Sequence, residues 1–255
     1  MSYQFLEVRV KNRIAIVEIN RPPMNAANRK MYQEITSIFL EIGDRDDCDV
    51  VILTGKGKAF LAGNDLQEFI EMTPENAPEQ MKIVREAFWA VYDCKIPVIA
   101  AVNGYALGSG FGFVSCCDII IASEKAQFGL PEINVGVLGG AKFGSRILPE
   151  MVMRRMYFTG ESMTAKEVAS YGAISEITPP ENLLNTAIAW AKKIATKSSV
   201  ALKMAKESLN GSEFMNLKDG YEFEQGYTCK LSGDNESKEA VRAVMEKRKP
   251  IFKKK

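Results

Sequence analysis

Histidine is absent from the 255-residue chain. That absence removes Ser-His-Asp and Cys-His nucleophilic catalysis, the HExxH metal site, and the side chain most often used to move protons near neutral pH. Acid–base work falls to carboxylates, lysine, tyrosine or cysteine. Cysteine is scarce too. The five thiols, Cys48, Cys94, Cys116, Cys117 and Cys229, form an odd set without metal-type pairing, and adjacent Cys116 and Cys117 cannot close an ordinary disulfide without severe strain. They read as reduced, mostly core thiols of a cytoplasmic protein. No run approaches the roughly 18 apolar residues of a membrane span. The start, MSYQFLEVRVKN, lacks the long apolar centre of a signal peptide. A net charge of +1 leaves no global field to attract nucleic acid or an anionic membrane.

What is present is ordinary for a soluble globular protein: 46% hydrophobic and 25% charged residues, enough for a sizeable core. Two strand-like runs, Phe5 to Val10 and Ile14 to Ile19, flank a polar turn at Lys11–Arg13. After a Pro-Pro break, Met31, Ile35, Ile38, Phe39 and Ile42 recur at helical spacing. Val50–Leu53, Ile96–Val102 and Asp118–Ala122 read as strands covered on both faces, with a helix over Met81 to Val91 between the first two. Alternating strands and helices predict an α/β fold with a largely parallel sheet. From about Pro179 strand signals stop, and AIAWAKKIA, SVALKMAKESL, LKDGYEFEQGY and SKEAVRAVMEKR look helical. The expected division is a core over 1–178 and a helical region over 179–255.

Three segments carry candidate chemistry. In AFLAGNDLQEF (Ala59–Phe69), small residues follow a strand and Asn64-Asp65 open a helix, an arrangement that leaves backbone amides free for an oxyanion. Taken alone, the segment reads more readily as a plain capped turn, since such turns are common. NGYALGSGFGF (Asn103–Phe113) has four glycines within nine residues. It suits either close packing or close approach of backbone to a ligand. Its GxGxxG match fails at Phe113, so the dinucleotide fingerprint is broken, and Ser109 has no histidine to activate it as a nucleophile. In the third, Glu132 follows a proline among Phe128, Leu130, Ile133 and Val135. Desolvation there would raise its pKa and suit it to proton transfer near pH 7, unless it is a solvated turn residue.

These segments in their order, from IAIVEINRPPMNAAN through VVILTGKGKAFLAGNDL, KIPVIAAVNGYALGSGFG, CDIIIASEKAQFGLPEINVGVLGG and FTGESMTAKEVASYGAISEI to EKRKPIF, resemble the crotonase superfamily, the enoyl-CoA hydratase/isomerase family, over nearly the whole chain. The resemblance implies a spiral core of repeated ββα units and a helical C-terminal trimerisation region, giving homotrimers often paired into hexamers. It implies an acyl-CoA substrate, with coenzyme A part of that substrate and no separate cofactor or metal. The backbone N–H groups of Asn64 and Ser109 would form an oxyanion hole, with Glu132 as acid/base. Met24, Ala26, Ala62, Asp65 and Leu66 would line the CoA path, and Phe252 and Lys253 would approach its adenine end, although KRKPIFKKK also reads as a solvated basic tail.

One departure bears on the reaction. Family hydratases with two catalytic glutamates carry the earlier one where this chain has Gly112, between Phe111 and Phe113. A single carboxylate suits proton shuttling between two carbons, so double-bond isomerisation is favoured over hydration by Glu132 alone. Asp65, Glu68 or Tyr105 remain alternative sources of a second group. A non-catalytic acyl-CoA-binding protein on the same fold is the rival from another class, and a dinucleotide-dependent oxidoreductase is disfavoured by the glycine spacing.

Overall fold

The computed structural model describes residues 3–252. The chain opens with an antiparallel hairpin of β1 (Leu6–Lys11) and β2 (Ile14–Ile19). Its two-residue turn holds Asn12 and Arg13 at φ +53° and +64°, the left-handed turn geometry that matches strand twist. Next comes α1 (Arg29–Asp44), started by the Asn28 side chain, which accepts from the Met31 N–H at 2.9 Å. It buries the expected Met31, Ile35, Ile38, Phe39 and Ile42, and also Tyr32.

Three repeats follow. Each puts its first strand into a six-stranded sheet and its second into a four-stranded one. They are β3 (Val50–Gly55) with β4 (Ala59–Ala62), β5 (Val98–Val102) with β6 (Tyr105–Leu107), and β7 (Ile119–Ser123) with β8 (Gln127–Gly129). Helices α2 (Leu66–Ile70) and α3 (Ala77–Tyr92) follow the first pair, and α4 (Ser109–Cys116) the second. After the third pair come a 3-10 turn (Pro131–Val135), α5 (Ala141–Gly144) and α6 (Glu150–Thr159). Then β9 (Met163–Thr164) pairs with β8, α7 (Ala165–Ala169) follows, and β10 (Glu176–Thr178) pairs with β7. The large sheet runs β1-β2-β3-β5-β7-β10, parallel from β2 onward, and the small one β4-β6-β8-β9. This is the repeated ββα spiral expected. The second strand of each repeat and β9 were not read from sequence, because two to four residues are too few for a period to show.

Both faces of the large sheet are covered, which is why β3 and β5 are wholly buried. Val51, Leu53, Ala100 and Val102 face the core shared with α1, α3 and α4, while Ile52, Ile99 and Ile121 face Leu183, Ala187 and Ala191 of α8 (Leu183–Ile194). Helices α9 (Ser199–Ser212), α10 (Leu217–Ser232) and α11 (Asn235–Met245) complete the chain. Two polar clasps tie α9 to the core. Lys206 Nζ reaches Asp118 at 2.6 Å, and Ser199 donates to Asp49, whose carboxylate also receives Arg13. Among the described residues no helix is long and apolar enough to cross a membrane.

Candidate active site

The first glycine turn joins β4 to α2. Gly63 has φ +89°. The Ala27 N–H donates to Gly63 O and the Asp65 N–H to Ala27 O, both at 2.8 Å. These bonds use the peptide groups flanking Asn64, so the Asn64 N–H points to the opposite side, as alternation along a ladder requires. The second turn joins β6 to α4. Gly108 has φ +56°, and the N–H groups of Ser109 and the rest of the first helical turn have no acceptor inside the helix.

The turns meet. A Cβ built on Gly108 would stand 3.3 Å from Gly63 Cα and 2.5 Å from Glu132 Oε1. Only glycine fits, on conformation and on space. Because β8 pairs beside β6, with Gly129 opposite Leu107, the chain leaving β8 crosses the Gly108 turn and its 3-10 turn delivers Glu132 there. Glu132 Oε2 is buried without a hydrogen-bond partner among the described residues. Burial pushes this carboxyl up to about 7. The source of that burial differs from the sequence expectation. Phe128 and Leu130 lie in the core, but Ile133 and Val135 are 38% and 54% exposed. Enclosure by the two turns, rather than Ile133, takes the carboxyl out of water.

The turns and Glu132 border a cavity of about 220 Å³, lined also by Ala62, Asn64, Leu66, Phe69, Asn134 and Val137. A larger cavity of about 800 Å³ lies between the end of α3 and helices α9 and α10. It has no glycine turn, and its buried Lys206 is already paired with Asp118. The small one, which joins both glycine turns to Glu132, is the candidate site.

Of the residues expected to line the CoA path, Ala62 and Leu66 do border this cavity. Met24 O accepts from the Ala62 N–H at 3.2 Å, and Ala26 O from Arg21 Nη1 at 2.6 Å. Asp65 caps α2 and is held by Arg21 Nη2 at 2.6 Å, an ion pair that keeps its carboxyl below the usual range. It is no spare acid. Glu68 accepts from the Arg29 N–H at 2.8 Å, and Tyr105 is 43% exposed on β6, outside the lining. Phe252 is half-buried beyond α11 and does not line the cavity; Lys253 lies outside the described residues.

Three residues at the site were not picked out from sequence. Arg21 braces the 24–27 segment against Asp65. Truncating it to alanine removes two charge-assisted bonds, so KM for a CoA ester should rise about tenfold while kcat changes little, as steady-state kinetics would show. Tyr32, buried on α1, donates to the side chain of Asn64. Phe88, on α3, stacks on Phe113 at 4.4 Å and Phe143 at 5.0 Å.

Comparison with known proteins converges on one family. Residues 9–255 match the family described as enoyl-CoA hydratase/isomerase. The chain belongs to the enoyl-CoA hydratase/isomerase family. Curated relatives in this family include mitochondrial enoyl-CoA hydratase of Pongo abelii, 36% identical over 258 residues covering 99% of this chain and 88% of that protein. A (7aS)-7a-methyl-1,5-dioxo-2,3,5,6,7,7a-hexahydro-1H-indene-carboxyl-CoA hydrolase of Rhodococcus jostii is 39% identical over 220 residues, 86% of this chain and 85% of that one. Among solved structures, enoyl-CoA hydratase subunit I from Geobacillus kaustophilus superposes with TM-score 0.93 at 32% identity over 100% of both chains. The chain is therefore a crotonase-fold enzyme acting on acyl-CoA thioesters.

At Gly112, where the resemblance places the earlier glutamate of two-glutamate hydratases, the space beyond the backbone is filled. A Cβ on Gly112 would stand 2.3 Å from Cε1 and 2.8 Å from Cζ of Phe88. The aromatic ring occupies the space into which a carboxylate side chain would project.

Proposed function

We propose that the enzyme isomerises an enoyl-CoA double bond with Glu132 as the single proton carrier. The thioester carbonyl accepts from the N–H groups of Asn64 and Ser109, each such donor contributing about 3 kcal/mol when charge develops on the oxygen. The Glu132 carboxylate takes a proton from C2 of a 3-enoyl thioester. The C2–H electron pair becomes the C1=C2 bond of a dienolate as the carbonyl π pair moves onto oxygen, and it shifts to C2=C3 only when the C3=C4 pair takes up a proton at C4. The protonated carboxyl then returns its proton to C4 as that charge collapses, and the double bond has moved by one carbon. Coenzyme A arrives with the substrate, and the sequence of steps calls for no metal or redox partner.

One observation carries this reading. A single carboxyl whose Oε2 is buried without a partner among the described residues sits at the junction of two glycine turns, while the Phe88 ring lies where a side chain on residue 112 would project. The test is turnover of 3-enoyl-CoA and 2-enoyl-CoA, with products followed by mass and NMR in deuterated water. Deuterium at C4 with a shifted double bond supports isomerisation. A 3-hydroxyacyl product as the main species would establish hydration by Glu132 alone, the second reading, which the hydratase names of relatives favour. Tight CoA-ester binding without turnover across a panel would make the protein a binder.

The raised carboxyl gives two linked expectations. As a base it must be ionised, so kcat/KM should climb as pH rises through about 7 and level off above. Folding stability runs the other way. The native state holds this proton to higher pH than the unfolded chain does, so the stabilisation is complete below the ordinary value of 4.5 and is lost as pH rises through about 7. Glu132→Gln should therefore melt above wild type at pH 8 and converge with it near pH 5. Equal melting points at pH 8 would refute the raised value.

Assembly as a homotrimer, or trimers paired into a hexamer, is part of the proposal. Phe214, Leu217, Val244 and Met245 on and beside α10 and α11 are 74% to 89% exposed, apolar surface that a neighbouring copy would cover. Sedimentation showing a monomer at micromolar concentration would remove this part.

A further inference from the structure

The two residues assigned to the oxyanion hole through their backbones both carry polar side chains, and α1 supplies a third polar group behind them. Tyr32 is 1% exposed and its hydroxyl donates to Asn64 Oδ1. Burial raises the phenol above its ordinary value, so it stays a donor over the whole working range. With Oδ1 committed to that donor, Nδ2 of the same planar amide is turned away from Tyr32 and has no partner among the described residues. The Ser109 hydroxyl is buried near the phenol yet makes no hydrogen bond of good geometry. A hydrocarbon substrate has no use for any of these groups.

Asn64 and Phe69 line two spaces at once: the catalytic cavity and a cleft of about 20 Å³ behind it, room for a single water. They are walls common to both, and the cleft is the inner end that an acyl chain seated in the cavity would reach past them. The inner end is framed by Met72 and Met81, whose unbranched chains can give way. Its polar groups are Tyr32, Asn64, Asp65, Glu68 and Gln80. A saturated tail pushed inward would displace water from these groups and replace none of its hydrogen bonds. A carboxylate on the tail would meet Asp65 and Glu68. The group that fits is neutral and carries oxygen.

We propose that Tyr32 is a positioning residue that presents Nδ2 of Asn64 to the acyl channel, and that the substrate's acyl chain carries a neutral oxygen, a ketone or hydroxyl, that accepts from this donor. The proposal rests on the thioester seating given above and names the class of acyl group that seating receives. Sites built to bond a substrate oxygen discriminate strongly against analogues that lack it, because their polar groups are then left unpaired.

The test compares 3-octenoyl-CoA with 7-oxo-3-octenoyl-CoA and 7-hydroxy-3-octenoyl-CoA, equal in carbon count and differing in the distal oxygen. Wild type should favour an oxygenated ester in kcat/KM by about tenfold or more. Tyr32→Phe keeps the ring and removes the hydroxyl, and it should cut that ratio at least about fivefold. A ratio taken within one preparation is insensitive to the fraction of folded enzyme, so a merely structural role for Tyr32 would leave it unchanged. Gln80→Leu, which makes the inner end apolar, should move the ratio in the same direction and serves if Tyr32→Phe does not fold. The same preference should appear as a ratio of dissociation constants measured by calorimetry on Glu132→Gln. That arm is independent of turnover, so failure of the isomerase reading and failure of this one are told apart. Preference for 3-octenoyl-CoA in wild type, equal handling of all three esters, or a ratio untouched by both substitutions overturns the proposal.

Discussion

Exchanging Glu132 for Gln lowers kcat on 3-enoyl-CoA by about 10²–10⁴-fold, the usual contribution of a positioned acid–base group. The amide keeps the size of the side chain and can still lie against Gly108, so the fold and the thioester seat survive. KM should therefore stay within about threefold of wild type, and the loss should fall on the chemical step. Among the described residues no other acid lines the cavity. Asp65 is committed to Arg21 and to the N-terminus of α2, Glu68 receives the Arg29 N–H, and there is no histidine. Full activity in the variant would end the mechanism proposed here.

Restoring a glutamate at position 112 has the opposite character: a large effect on the fold, conditional on one ring. Gly112→Glu forces a side chain into Phe88 at a contact of 2.3 Å. The expected loss is more than about 3 kcal/mol, from overpacking in a filled core and from a carboxyl left without water. Phe88→Ala alone opens a cavity and should cost about 3–5 kcal/mol. Combined, the two changes compensate in volume, so the double variant should be more stable than the sum of the single losses by chemical denaturation. It is also the variant in which hydration of 2-enoyl-CoA should emerge, because it restores a second carboxylate at the position where two-glutamate hydratases carry one. A folded double variant with no gain in hydration would show that the missing acid does not set the reaction class.

The gross plan was legible in the sequence because long elements advertise their period. The α1 stripe of Met31, Ile35, Ile38, Phe39 and Ile42 matches the buried face found, and the runs at Val50, Ile99 and Ile119 lie in doubly covered strands. The strands β4, β6 and β8 were hidden, although they aim both glycine turns, because three or four residues hold no period and their partners are distant in sequence. At the site, Gly108, Asn64 and Glu132 were visible as residue types in ordered segments. Arg21, Tyr32 and Phe88 were not. Each matters through a contact with a residue 24 or more positions away, Phe88 with Gly112 being the shortest span, and no local pattern reports such a contact. The raised carboxyl at Glu132 was anticipated in direction; of the four apolar neighbours offered, Phe128 and Leu130 are buried and Val135 borders the cavity, whereas Ile133 is exposed and outside its lining, a distinction no local pattern carries.

In the large sheet, spatial order is synthesis order. Strands join at one growing edge as β2, β3, β5, β7 and finally β10, so a nascent chain can add each new strand to a neighbour already made, without waiting for a later segment to be threaded between two earlier ones. The reactive chamber is complete once residue 137 has been translated. The outer apolar surface of the same sheet, with Ile52, Ile99 and Ile121, stays uncovered until α8 emerges some 57 residues later, at Ile194. Over that interval the nascent chain holds every residue that lines the site while the apolar back of the sheet has no cover, the kind of surface that invites aggregation and chaperone capture.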